Sequence, residues 1–219
     1  MTGSSFSSML TLASGLVLAC AVTVVWMTSV RSVIRAVATQ GIALGLVVML
    51  LGVREHDAGL IATASVVFGV KGVAIPLLFG RATERGALAR ESRPLVNVPA
   101  SLVASAFLIV VAFGTTRGIA HFVGGTAGAL VPVGVATLLI GFFVLAARRR
   151  PLFQMVGLLL VDNGIALVAF LCTAGVPFLI EIGVSLDVLL GVAVLMVLAR
   201  RLATEFGDLA FVELQELHD

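Results

Sequence analysis

Between Arg117 and Arg148 the chain carries no Asp, Glu, Lys or Arg, and between Arg93 and Arg117 it carries none either. Runs of this kind constrain the fold more than any other feature of the sequence. A helix needs about 20 consecutive apolar residues to cross the ~30 Å hydrocarbon layer of a bilayer. A water-soluble domain normally has about a quarter of its residues charged. Here 12% of the 219 residues are charged and 60% are hydrophobic, with a mean hydropathy of +1.18. A backbone in lipid must satisfy its own polar groups, which leaves helices or closed barrels. Barrel strands alternate apolar and polar residues in ~10-residue segments, and no such alternation is seen. The composition therefore implies an all-α, polytopic helical membrane protein.

The apolar runs predict seven transmembrane helices, at about 9–30, 33–53, 58–80, 95–115, 127–147, 152–174 and 178–199. The connections are short except RATERGALARESRP (81–94) and TRGIAHFVGGT (116–126). No linker, soluble domain or internal repeat stands out, so residues 1–219 read as a single integral membrane domain. Basic residues orient it, because Lys and Arg accumulate in cytoplasmic loops. Arg31 and Arg35, Arg81, Arg85, Arg90 and Arg93, Arg148, Arg149 and Arg150, and Arg200 and Arg201 fall on one side. Only Arg54 and Arg117 fall on the other. This asymmetry predicts an outside N-terminus and a cytoplasmic C-terminus. The first residues, MTGSSFSSML, lack the positive stretch of a signal peptide, so the first apolar run is expected to stay as a membrane helix. The acidic tail, ATEFGDLAFVELQELHD, reads either as a short amphipathic docking element or as a solvated end.

Several chemistries find no support. Cys20 and Cys172 lie in apolar runs without a Cys-x-x-Cys or Cys/His cluster, and read as packed small residues. His56, His121 and His218 have no metal-ligand spacing. There is no catalytic triad, phosphate loop, dinucleotide fingerprint or basic stripe with interleaved aromatics. Gly41-x-x-x-Gly45 and Gly124-x-x-x-Gly128 read as helix-packing signals.

Four polar side chains lie deep within the predicted spans: Gln40, Lys71, Asp162 and Asp187. At a rise of ~1.5 Å per residue they sit roughly 10, 14, 15 and 18–20 Å from the cytoplasmic helix ends. All four therefore fall in the central zone, on four different helices. A charged residue there costs roughly 2.5–3.5 kcal/mol on translocon-based scales. Such groups should face the protein interior, a partner or internal water. Burial and neighbouring charge shift the protonation of carboxylates and amines in opposing directions, which is what a proton relay requires. The other reading is a structural ion pair between Lys71 and one aspartate. Asn163 directly follows Asp162, and Glu181, near the outer end of the last span, reads either as a snorkelling residue or as the mouth of a pathway. Lys71 lies in FGVKGVAIP, where Pro76 cannot donate to the carbonyl of Gly72 and Gly69 and Gly72 weaken the helix further. An opened helix at membrane mid-depth is a feature of ion sites in transporters.

RRRPLFQMVGLLLVDNG and EIGVSLDVLLGVAVLMVLARRL resemble the last helices of the K subunit of respiratory complex I and of the C subunit of multisubunit cation/proton antiporters. Along its whole length the chain resembles hydrogenase-4 component E, a membrane subunit of group 4 [NiFe]-hydrogenase and formate hydrogenlyase assemblies. The matching pieces are MTGS, VATQGIAL with Gln40, VKGVAIPLL with Lys71 and Pro76, DNG at 162–164, EIGVSLD at 181–187 and VLMVLARRL. On this resemblance residues 1–147 are component E-type helices, 148–201 are K-like helices and 202–219 are a cytoplasmic tail.

The resemblance implies a non-catalytic subunit in the membrane arm of a complex I-like machine, in a bacterial or archaeal cytoplasmic membrane. It implies no cofactor in this chain, with nickel–iron and iron–sulfur centres in partner subunits. The implied partners are antiporter-like membrane subunits and a peripheral redox module, and the implied activity is proton or sodium translocation. Asp187 matches the acidic position of the last K-type helix. The K-type glutamate of the preceding helix falls at Leu159, one turn before Asp162. Component E proteins more often have glutamate where this chain has Asp162. Lys71 and Gln40 match component E alone. Two other functions fit the same residues: a stand-alone proton-coupled transporter, or a structural spacer whose charges hold helices in register.

Overall fold

A computed structural model describes residues 3–84, 97–148 and 151–173. The predicted last span, 178–199, with Glu181 and Asp187, lies outside the described residues. Among those described, every regular element is helical: α1 (Gly3–Trp26), α2 (Val30–Glu55), α3 (Ala58–Val67), a π segment (Phe68–Ala74), α4 (Ile75–Glu84), α5 (Val98–Thr115), α6 (Arg117–Val123), α7 (Gly125–Ala147) and α8 (Pro151–Thr173). Six stretches are long and apolar enough to cross a bilayer, the third being the continuous helix Ala58–Arg81.

The boundaries differ from the hydropathy reading in instructive ways. The first helix begins at Gly3 and ends at Trp26, rather than spanning 9–30. Its buried face, Phe6, Leu10, Ala13 and Val17, starts among serines that dilute the hydropathy signal. The connection at 116–126 is not all loop, because Arg117–Val123 forms a short helix. It is closed by Gly124 and Gly125 at φ 69° and 60°, a backbone that favours glycine. Gly124 therefore serves the turn rather than a helix contact, and only Gly128 of that motif packs closely, against the carbonyl of Ala120.

The helices alternate in direction, and two contacts fix which ends meet. At one end the Arg54 guanidinium lies 4.7 Å from the centre of the Phe6 ring, joining the end of α2 to the start of α1. At the other end Arg148 is buried and donates to the carbonyl of Val25 (2.5 Å) and that of Met27 (3.4 Å). It also stacks over Phe153 at 5.1 Å. The last carbonyls of a helix lack intrahelical donors, so Arg148, at the end of the neighbouring α7, closes α1. The turn between α2 and α3 is made by His56 at φ 54° and by Asp57, whose Oδ1 accepts from the N–H of Gly59 at 2.7 Å.

Among the described residues the interior is divided into two apolar cores. One contains Leu10, Val17, Leu44, Val47, Val67, Val131, Leu167 and Phe170. The other contains Ala21, Val25, Val33, Val37, Ile75, Ile140, Val144, Phe153 and Leu160. On each helix that contributes to both, the chain changes core across a short gap. Gln40 lies in the gap on α2, Lys71 on the third span, Thr137 on α7, and Asp162 with Asn163 on α8. The outer faces stay apolar, as with Leu12 on α1, Val103, Phe107 and Val110 on α5, and Ile165 on α8.

Candidate functional site: a buried polar layer between two apolar cores

The layer is assembled by three helices and one irregular turn. The third span winds as an α-helix to Val67, widens into a π segment at Phe68–Ala74 and returns to α-helix at Ile75. The reason is local. Pro76 has no N–H and its ring would clash with the carbonyl four residues earlier, so the turn before it is wider. The N–H of Ile75 accordingly reaches back five residues, to the carbonyl of Val70. Lys71 sits at the centre of this turn and, with Gly72, is one of its two buried residues. Short π segments of this kind are frequent at functional sites.

Lys71 Nζ lies 2.8 Å from Asp162 Oδ2. Both residues are deeply buried, at 3% and 8% exposure. One residue along α8, Asn163 donates through Nδ2 to Gln40 Oε1 at 2.9 Å. Gln40, at 0% exposure, donates in turn through Nε2 to the backbone carbonyl of Val17 at 3.0 Å. A helical carbonyl has a second lone pair available for such a bond. The result is a transverse polar layer running from α1 through α2 to α8 and on to the π segment. Of the six residues proposed as a relay, the structure brings Lys71, Asp162, Asn163 and Gln40 together. Glu181 and Asp187 lie outside the described residues.

Leu159, one turn before Asp162, faces an apolar pocket shared with Ile34, Val37, Pro76, Phe79 and Val156. The carboxylate of α8 thus meets the lysine from position 162, and the turn before it belongs to the apolar core. The Val17 carbonyl and the buried Arg148 were not identifiable from the sequence. A backbone acceptor has no residue signature, and Arg148 begins a run of three arginines of which any could have turned inward.

Comparison with known proteins adds a family. The chain is 40% identical over 220 residues to the uncharacterized protein Rv0085 of Mycobacterium tuberculosis, with all of both chains covered. It belongs to the family of that protein. A second similarity is shorter. Over 77 residues the chain is 34% identical to hydrogenase-4 component E of Escherichia coli K12, covering 35% of this chain and 36% of that protein. The component E proteins of Escherichia coli O157:H7 and Shigella flexneri match equally. No protein-family model and no solved structure matches the chain.

Proposed function

We propose that the protein is a non-catalytic membrane subunit of a hydrogenase-type, complex I-like assembly, and that its Lys71–Asp162 pair takes part in coupling ion movement to redox chemistry elsewhere in that assembly. The observation that carries this reading is the placement of a 2.8 Å ion pair in a polar layer enclosed by two apolar cores. The partial likeness to hydrogenase-4 component E supplies the class of assembly. The two side chains carry opposite charges at a 2.8 Å separation, so a change in the charge of either acts directly on the other. A proton arriving at Asp162 would release Lys71 from its partner, and a proton leaving Lys71 would free the Asp162 charge. A single pair can thus pass a charge displacement to whatever lies beside it. Partner subunits in this reading are antiporter-like membrane chains and a peripheral module holding the redox centres, with an outside N-terminus and a multi-pass location in a cytoplasmic membrane.

The test is Asp162→Asn in the intact complex purified in mild detergent and returned to liposomes. Electron transfer should persist while ion flux per electron falls by about a hundredfold or more, the range for removal of a positioned proton-transfer group. Normal ion flux in the variant would sink the proposal, as would purification without redox or antiporter-like partners. A second reading, that the pair only holds helices in register, is favoured by the directness of the 2.8 Å contact. It predicts that a paired Lys71→Met and Asp162→Leu replacement assembles and still couples.

A further inference from the structure

The glycines of α2 differ in what they face. A Cβ placed on Gly41 would lie 2.5 Å from both the carbonyl carbon and the oxygen of Lys71, and 2.8 Å from the nitrogen of Gly72. These are backbone atoms, which no rotamer change can move. A Cβ on Gly45, one turn on, would have the Phe68 ring as its nearest neighbour, at 2.9 Å from its nearest carbon. A ring can tilt away. From the other side, a Cβ on Gly72 would come 3.1 Å from Ile42 Cγ1. Of the glycines of α2, Gly41 is the one packed tightest on the third span, at the Lys71 peptide within the widened turn, and that fit exists because residue 41 has no side chain.

The residue before Gly41 holds the other half of the pair. Gln40 receives the amide of Asn163, the neighbour of Asp162. Two consecutive residues of α2 thus hold the two halves of the ion pair, Gln40 through a hydrogen bond to α8 and Gly41 through backbone contact with the π segment. We propose that Gly41 is a positioning residue, whose missing side chain seats the Lys71 backbone at the distance from α8 that brings the ammonium onto Asp162. A methyl group there would force the Lys71 peptide away by about 1 Å, given ordinary carbon contacts of ~3.5 Å. Ammonium–carboxylate bonding depends on short range, so the pair loosens. The consequence for ion coupling rests on the function proposed above, but the placement itself does not.

Lys71 is the single lysine of the chain, so lysine labelled at its side-chain nitrogen gives one resonance in the full-length protein in lipid bilayers. Asp162→Asn defines the resonance of the unpaired state. Gly41→Ala should shift the signal toward that state, Gly45→Ala should leave it at the wild-type position, and Gly41→Ala with Asp162→Glu should move it back as the longer acid restores reach. A Gly41→Ala signal at the wild-type position, or an equal shift from Gly45→Ala, would overturn the assignment. If Gly41→Ala does not accumulate, the readout is accumulation: recovery on adding Asp162→Glu supports the assignment, and a double variant that still fails where Gly45→Ala accumulates overturns it. In the assembled complex Gly41→Ala should lower ion flux per electron by up to about a hundredfold, in line with the cost of a ~1 Å misplacement. A shifted resonance with normal flux would leave Gly41 as a positioning residue and refute the coupling role of the pair.

Discussion

Two seams in this bundle are built from glycine, and they do different work. Along α7 and α8, Gly134 and Gly141 on one helix alternate with Gly157 and Gly164 on the other, each pair seven residues apart. A Cβ on Gly141 would lie 2.6 Å from the nitrogen of Val161, and one on Gly157 2.6 Å from that of Leu145. Both helices are regular here, and the repeat keeps their backbones close over several turns, as small residues do in membrane bundles. Along α2 and the third span the glycines differ in what they meet, and Gly41 is the one that admits a peptide of the irregular turn. The absence of a side chain gives cohesion where it recurs at fixed spacing, and gives placement where it lies against the backbone of a group that must be aimed. Asp162 and Asn163 lie between Gly157 and Gly164, so the regular seam carries the acid while the irregular one carries the base.

That contrast can be broken by experiment, and the charges should give the largest effect. Lys71→Met leaves Asp162 buried without its partner, a change worth about 3–5 kcal/mol in buried pairs. Adding Asp162→Leu should recover most of the loss, read as unfolding in mixed micelles. Equal losses in the single and double variants would show that the two side chains do not act as a pair. The regular seam should come next. Gly164→Ala puts a methyl 2.5 Å from the nitrogen of Leu138, and overpacking of this kind costs about 1–3 kcal/mol. Gly134→Ala, whose nearest neighbour is a Val168 methyl at 2.7 Å, should cost less because a side chain can yield. The smallest effect belongs to Gly15→Ala on α1, which meets nothing within 4 Å. It should be neutral or stabilising by up to about 1 kcal/mol, the helical preference of alanine over glycine. A clear loss there would mean that this face of α1 is covered in the assembled protein.

Much of the site was legible in the sequence, and the missing parts share a cause. Gln40, Lys71 and Asp162 betray themselves because polar groups at mid-depth in lipid are costly whatever the fold. The loosened turn around Lys71 was also visible, because Pro76 and two glycines act locally. What the sequence left open was pairing. Lys71 could have met Asp162 or Asp187, and the choice depends on how helices distant in the chain are rotated. Gly41 was legible as a packing residue but not as the seat of a lysine, since Gly41-x-x-x-Gly45 looks the same whether it faces a backbone or a ring. The six spans within the described residues were located to within a few residues, and the errors fell where serines or a short helix at a span end blur hydropathy.

Arg148 reaches back across more than half the chain to close α1, and Asn163 reaches back as far to Gln40. Ribosomes deliver proteins from the N-terminus, so α1, α2 and the third span are made well before either partner. Until residue 148 emerges, the end of α1 lacks the arginine that caps it, and until residues 162 and 163 follow, Lys71 and Gln40 lack their partners on α8. The contacts that tie α7 and α8 to the early helices can therefore form only after residues 148 and 163 have been made, so the bundle is completed late in synthesis.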